Sequence, residues 1–237
     1  MLLILLIVAI LPAALLWAYI WKKDPKKEPT PLLIKAGLYG AAVCIPVAIL
    51  EYGMQTMLFG ESRMPTTLFG STTMAFFVAA IPEESFKLLA LWLVVRRNPY
   101  FDEHFDGIVY AVCVGLGFAA FENVGYVLSG NGNWVMVAVS RFLLAVPGHY
   151  AFAVLMGYYY SIYHFGQRTM RNKVMILLAP VLAHGIYDAL AMSSLVTPVV
   201  AGVAGILLVY FCIRMHKFAY KKVLAHIQND QASADMA

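Results

Sequence analysis

The chain has 237 residues, of which 62% are hydrophobic and 13% charged, and its formal net charge is +4 at pH 7. A soluble domain carries about 25% charged residues, so the composition excludes an ordinary water-soluble protein and favours a single polytopic membrane domain over residues 1–237. We expect no nucleic-acid partner. The three cysteines fall in apolar segments without paired spacing, which argues against a disulfide framework and a CxxC metal site.

Seven apolar segments predict an all-α transmembrane bundle of about seven spans, since each has roughly the 20 apolar residues that a spanning helix needs. They cover residues 2–21, 31–57, 72–95, 107–128, 134–163, 174–193 and 196–213. No basic residue precedes the first span and four lysines follow it, so residues 1–21 are expected to form an uncleaved anchor. The polar residues 229–237 are expected to be a disordered tail.

Basic residues alternate between the connections of the predicted spans. The first, third and fifth connections and the C-terminal tail carry Lys22, Lys23, Lys26, Lys27, Arg96, Arg97, Arg168, Arg171, Lys173, Arg214, Lys217, Lys221 and Lys222. The alternate connections carry only Arg63. The positive-inside rule then places the N-terminus outside and the C-terminus in the cytoplasm.

Two adjacent glutamates, Glu83 and Glu84, lie near the middle of the third span. A charged side chain at the bilayer centre costs at least about 2.5 kcal/mol, so such a pair indicates catalysis, ion transport or a buried polar network. Lys87 follows these residues by four and three positions and can reach back to either. The alternative is an ion pair that only locks helices together, for which one carboxylate would be enough.

Three hydrogen-bonding side chains lie within two turns at the end of the fourth span. Glu122, Asn123 and Tyr126 indicate a wet cavity or an interhelical network, and for Asn123 and Tyr126 interhelical hydrogen bonding alone is an equal alternative. Gly115 and Gly117 in the same span would let a neighbouring helix approach closely.

The fifth and sixth spans add two histidines. His149 follows the pair Pro147-Gly148, which loosens the helix, and Arg141 earlier in that span can snorkel or pair with a carboxylate. His184 and Asp188 are four residues apart, so Asp188 can accept a proton from one imidazole nitrogen and leave the other for a metal, water or substrate. The alternative is an intrahelical hydrogen bond without chemistry.

Most of the ionisable residues of these spans are expected at a similar depth in the membrane. At 1.5 Å per residue, Glu83, Glu84, His149 and His184 lie near mid-membrane, and Glu122 lies nearer the outer face. They suit a glutamate general base helped by histidines, or a metal bound by the same four mid-membrane residues. No HExxH motif is present, and a lysine beside the acids would repel a cation. We therefore favour no cofactor, while zinc stays an alternative.

The residues, taken in this order, resemble the PrsW-type intramembrane proteases, which are similar to the CAAX-type prenyl endopeptidases and bacteriocin-processing membrane proteins. The resemblance covers nearly the whole chain. The motifs that carry it are Pro82-Glu83-Glu84-Ser85-Phe86-Lys87, FDEHFDGIVY at 101–110, GFAAFEN at 117–123 with Tyr126, His149 with Gly157, His184-Gly185 with Tyr187-Asp188, Lys23-Asp24 and Glu28-Pro29.

The resemblance implies a multi-pass protease of a bacterial plasma membrane. Its implied reaction is site-1 cleavage of a single-pass, membrane-bound anti-sigma factor, which leads to release of a stress-response sigma factor after further proteolysis. By the same resemblance Glu83, Glu84 and His184 match essential positions, and His149 and Glu122 match active-site partners. The proline–glycine pair before His149 is not a fixed part of the family pattern.

This interpretation gives each group a role. Glu83 or Glu84 deprotonates the attacking water, and His184 and His149 stabilise the oxyanion or protonate the leaving amine. Lys87, Asn123, Tyr126 and Asp188 support the site. The alternative is a proton- or ion-coupled transporter, but the chain shows no similarity between its halves. A third hypothesis, a scaffold without catalysis, predicts the loss of an acid or a histidine, and the chain keeps them all.

Overall fold

The computed structural model describes residues 2–62, 64–129, 133–193 and 196–235, and these form helices joined by short connections, with no strand among them. A short 3₁₀ turn at Gly60–Ser62 follows the second helix. The helical elements are α1 (Leu2–Lys23), α2 (Thr30–Phe59), α3 (68–95), α4 (His104–Ser129), α5 (Trp134–Phe165), α6 (Met170–Ser193) and α7 (Pro198–Ala234).

Six of these helices are long and apolar enough to cross a membrane, namely α1, α2, α4, α5, α6 and α7. The third predicted span corresponds to α3, whose helical path is divided by a π-helical turn and which carries three charged residues. Each predicted span therefore lies on one of the helices. The predicted multi-pass helical bundle is confirmed.

Two helices change their winding just before a proline. In α3 the π-helical segment Met74–Ala80 precedes Pro82, and the N–H of Ile81 bonds to the carbonyl oxygen of Phe76, five residues back. In α5 the π-helical segment Arg141–Ala145 precedes Pro147 in the same way. Proline lacks an N–H and clashes with the carbonyl four residues before it, so a locally wider helix relieves the conflict.

The C-terminal end corrects one expectation. The predicted disordered tail 229–237 is wrong for residues 229–234, which continue α7. Asp230 accepts hydrogen bonds from the backbone N–H groups of His104 (2.9 Å) and Phe105 (2.8 Å) at the start of α4. A carboxylate at a helix N-terminus is a stabilising cap, so this contact docks and orders the end of α7. Residues 236–237 lie outside the described part of the chain.

Helix α4 lies at the centre of the bundle, packed against α1, α2 and α5. The contact with α2 is a close backbone approach: a Cβ atom at Gly117 would lie 2.0 Å from the carbonyl oxygen of Gly37, and one at Gly40 would lie 1.9 Å from that of Val114. Only glycine permits this spacing, as expected for Gly117 from the sequence. The three cysteines are free and buried, as their spacing predicted.

Candidate active site within the membrane

The centre of the site is an ion cluster on the second half of α3. Glu83, Glu84 and Lys87 are all buried, with side-chain exposures of 5%, 0% and 3%. The Lys87 ammonium donates to Glu83 Oε2 at 2.8 Å and to Glu84 Oε1 at 2.9 Å. The i, i+3 and i, i+4 spacing brings both acids to one lysine, so a single cation bridges two carboxylates away from water.

His149 on α5 joins this cluster from the opposite side. Its Nδ1 lies 3.1 Å from Lys87 Nζ, and its Nε2 lies 3.1 Å from Glu122 Oε2 on α4. An ammonium can only donate, so Nδ1 accepts, and Nε2 carries the proton that is donated to Glu122. The contacts thus assign the neutral Nε2–H tautomer to His149, which links α3, α4 and α5.

His184 on α6 contacts carboxylates with both ring nitrogens. Nδ1 lies 2.9 Å from Glu84 Oε1 and 4.0 Å from Glu83 Oε2, and Nε2 lies 3.2 Å from Asp188 Oδ2. The predicted Asp188 partner is therefore present, but the other nitrogen faces a glutamate rather than open space. Phe152 stacks on the His184 ring with centroids 4.7 Å apart, which fixes the plane of the imidazole.

Arg141 connects the site to the outer part of the bundle. Its Nη2 donates to Glu122 Oε2 at 2.5 Å, its Nε donates to Asn123 Oδ1 at 2.6 Å, and its guanidinium lies 4.1 Å from the centre of the Tyr126 ring. Asn123 in turn donates to the backbone oxygen of Ala9 on α1 at 2.6 Å. The arginine thus pairs with a carboxylate, and Asn123 and Tyr126 support that pair.

Several of these groups line a cavity of about 640 Å³. Its wall includes Glu83, His149 and His184, but not the fully buried Glu84. Glu84 Oε2 has no hydrogen-bond partner among the described residues. The two adjacent acids are therefore different: Glu83 faces the cavity, while Glu84 lies behind it and holds Lys87 and His184.

A second, mostly apolar cavity of about 260 Å³ lies between α2 and α4 and shares residues with the first. Glu51 on α2 lines both cavities, and its buried Oε1 has no partner among the described residues. Glu51 was not among the residues expected at the site. The available signal was an acidic residue inside the second apolar segment, where ionisable groups are costly unless they serve a function.

Three residues at the centre of the site are candidate metal ligands. One ligand atom each from Glu83, Glu84 and His149 lie within 4.8 Å of one another, and these are donor types that zinc accepts. The Lys87 ammonium, however, lies within 2.8–3.1 Å of a donor atom of all three residues. It holds the space and the charge that a cation would take. In this arrangement the residues do not fit a metal ion.

A multi-pass helical protein whose buried acids and histidines line an intramembrane cavity has the features of an intramembrane hydrolase. Comparison with known proteins makes the class specific. The sequence profile described as PrsW family intramembrane metalloprotease matches residues 28–215. The chain belongs to this family of membrane peptidases. The family is described as one of metalloproteases, whereas in this chain Lys87 occupies the space between the acids and His149 where a metal ion would bind.

Curated relatives agree with the profile. The chain is 34% identical to the protein called Protease PrsW of Oceanobacillus iheyensis over 76% of this chain and 79% of that protein. It is 34% identical to Protease PrsW of Clostridioides difficile, over 79% of each, and 33% identical to Protease PrsW of Bacillus subtilis, over 76% and 78%. No solved structure matches the chain.

Proposed function

We propose that the chain hydrolyses a peptide bond of a single-pass membrane regulatory protein by glutamate-based acid–base catalysis. The observation that carries the proposal is the cavity wall, where Glu83, His149 and His184 face one space of about 640 Å³ within the bundle. A carboxylate base and two imidazoles at hydrogen-bonding distances are the groups that water activation and leaving-group protonation require.

Glu83 is the general base in this proposal, because it lines the cavity while Glu84 does not. Glu83 takes a proton from water as the water oxygen bonds to the scissile carbonyl carbon. The C–N bond then breaks, and the proton passes to the leaving amine. Glu84 is a positioning residue, since its Oε1 contacts both Lys87 Nζ and His184 Nδ1 at 2.9 Å.

The histidines act on the developing oxyanion or on the leaving group when substrate enters, by turning to it an Nε2–H that now donates to Glu122 (His149) or Asp188 (His184). His184 is held by Asp188 and Glu84, and His149 by Glu122 and Lys87. Preorganisation of this kind is the main electrostatic contribution that an enzyme site makes to its rate. We propose the metal-free form because Lys87 already neutralises part of the acid charge, and zinc is the alternative.

The substrate class follows from the site and from the resemblance. The smaller cavity between α2 and α4 has a mostly apolar lining and reaches Glu83, so it suits an extended apolar segment of a membrane protein. A site-1 cleavage of an anti-sigma factor-like protein, in a stress response, is the finer proposal, supported by the PrsW motifs of the sequence.

The test is co-expression with tagged single-pass membrane proteins that contain a cytoplasmic sigma-factor-binding domain. Glu83→Gln should reduce cleavage by at least about 100-fold, because acid–base groups contribute 10²–10⁴-fold. Glu84→Gln should also reduce cleavage strongly, because it removes the carboxylate charge that Lys87 and His184 share. Both variants should still be inserted and expressed. Glu61→Gln, at an exposed position after α2, is the matched control and should cleave normally. Near-wild-type cleavage by either site variant would remove that residue from the mechanism.

A further inference from the structure

A polar pocket far from the intramembrane site lies where four helices end. It has a volume of about 440 Å³ and lies between the start of α4, the end of α5, the start of α6 and the last turns of α7. By the distribution of basic residues, these helix ends are on the cytoplasmic side. The lining includes His104, Tyr158, Gln167, Arg171, Lys222 and Asn229.

The two strong cations of this pocket, Arg171 and Lys222, have no acidic partner in the part of the chain that the structure describes. Within the described residues, neither Arg171 nor Lys222 forms an ion pair. Asp230, on the turn that follows Asn229, is engaged elsewhere, because its oxygens accept from the N–H groups at the start of α4 and contact His104 Nδ1. Among the described residues, Asp230 is paired with His104, and the positive charges of Arg171 and Lys222 are left without a counter-ion.

The lining is also held in place. Lys222 Nζ lies 4.1 Å from the centre of the Tyr158 ring, and the His226 ring stacks on the Tyr158 ring with centroids 4.5 Å apart. Asn172 donates from its side chain to the backbone oxygen of Gln167 at 2.8 Å. A cation over an aromatic ring and a bonded amide lose little further freedom when a ligand binds.

We propose that this pocket binds a phosphate group, carried by an anionic lipid headgroup or by a free phosphate compound. Arg171 supplies a planar fork that matches phosphate oxygens, Lys222 supplies a point charge, and Gln167 and Asn229 supply amide N–H donors. Basic pockets between transmembrane helices on the cytoplasmic side are suited to anionic headgroups. Because the pocket includes His104 and Asn229, a bound phosphate would also steady the docked end of α7.

The experiment compares two double variants with the same change in charge on the same parts of the chain. Arg171→Gln/Lys222→Gln removes the pocket cations. Arg168→Gln/Lys217→Gln removes exposed basic residues that do not line the pocket. In one arm the proteins are placed in nanodiscs of phosphatidylcholine with phosphatidylglycerol, and native mass spectrometry counts the phosphatidylglycerol that is retained. In the other arm detergent-purified protein is titrated with inorganic pyrophosphate by calorimetry.

A basic side chain near an anionic headgroup contributes about fivefold in binding, so the pocket pair should weaken binding by roughly 25-fold. The control pair should change it by less than about twofold. Loss confined to the lipid arm identifies a headgroup, and loss confined to pyrophosphate identifies a soluble ligand. Equal weakening by both pairs, or no binding of either probe to wild type, overturns the proposal. Arg171→Gln alone repeats the test without disturbing the contact of Lys222 with Tyr158.

Discussion

Lys87 determines the character of the intramembrane site because one ammonium serves two carboxylates and a histidine nitrogen. Removing one partner of a buried ion pair costs about 3–5 kcal/mol, since the remaining charge is left uncompensated. Removal of Lys87 would leave the two buried carboxylates of Glu83 and Glu84 without this counter-ion. The lysine is therefore as much a part of the site as the glutamates, and its distances to all three partners are 3.1 Å or less.

This position leads to a prediction on metal dependence. Purified, active protein should contain far less than one metal ion per chain by elemental mass spectrometry, and its activity should resist strong chelators. His184→Ala should then lose activity with the metal content unchanged. Stoichiometric zinc, with activity lost on chelation and regained on adding zinc, would contradict the metal-free site and reassign the glutamates and histidines as ligands.

A second prediction at the scale of single residues concerns Glu28, in the connection between α1 and α2. It is buried and accepts a hydrogen bond from the Tyr110 hydroxyl of α4. Burial raises the pKa of Glu28 from 4.5 to about 7, the Tyr110 hydrogen bond partly opposes this, and the negative charge of Asp24 adds to it. The folded state therefore holds this proton more tightly than the unfolded chain.

The raised pKa of Glu28 makes the folded state less stable as the pH increases. A folded pKa above the unfolded value gives stability that is fully present below about pH 4.5 and is lost as the pH rises through about 7. The melting temperature in detergent should fall between pH 5 and pH 8, and Glu28→Gln should flatten this dependence. Glu61→Gln is the control and should keep the wild-type slope. An unchanged slope in Glu28→Gln would show that other groups set the pH dependence.

At the scale of elements, the π-helical turns explain how α3 and α5 bring their functional groups together. Each turn ends two residues before a proline, and the site residues Glu83, Glu84 and His149 follow within two residues of that proline. The sequence indicated a loosened helix before His149. It did not indicate the turn in α3, because the winding of a helix depends on packing as well as on the proline.

The crossing of α2 and α4 gives an element-scale prediction. Gly40→Ala would place a methyl group 1.9 Å from the backbone oxygen of Val114, and backbone cannot move aside as a flexible side chain can. Overpacking of this kind costs about 1–3 kcal/mol, so the melting temperature in detergent should fall. Gly53→Ala, on the same helix with nothing within 4 Å, should keep or slightly raise it. Equal stability of both variants would show that the helices separate easily.

At the scale of the whole molecule, the sequence put four ionisable residues at one depth and Glu122 nearer the outer face, whereas the structure holds Glu122 against His149 at 3.1 Å. Counting along each span placed Glu83, Glu84, His149 and His184 at one level, and the structure brings them into contact. The contacts Lys87–His149 and Glu84–His184 join residues 62 and 100 positions apart, and local patterns do not encode which helices such contacts make neighbours. Glu51 is recognisable as an acidic residue inside an apolar segment, but nothing local indicates that α2 lines the cavity.

The prediction of a disordered tail was wrong for the same reason, because long-range contacts order these residues. Residues 229–234 are small and polar, which locally indicates disorder, but Asp230 finds its partners 125 and 126 positions away on α4. A long-range cap therefore overrides local composition. Helix α7 also carries Lys222 and Asn229 alongside the end of α5 and the start of α6, where both line the polar pocket.

The orientation of the bundle is the last prediction. The basic residues of alternate connections and of α7 place the C-terminus in the cytoplasm and the connection after α4 outside. A reporter fused after Asp235 should therefore read as cytoplasmic, and one inserted at Asn133 as external. Reversing the charge bias by adding lysines at Asn133 should weaken this assignment. The opposite readout for wild type would move the phosphate pocket to the outer face, where anionic lipid attraction is weaker, and would exclude the cytoplasmic headgroup as its ligand.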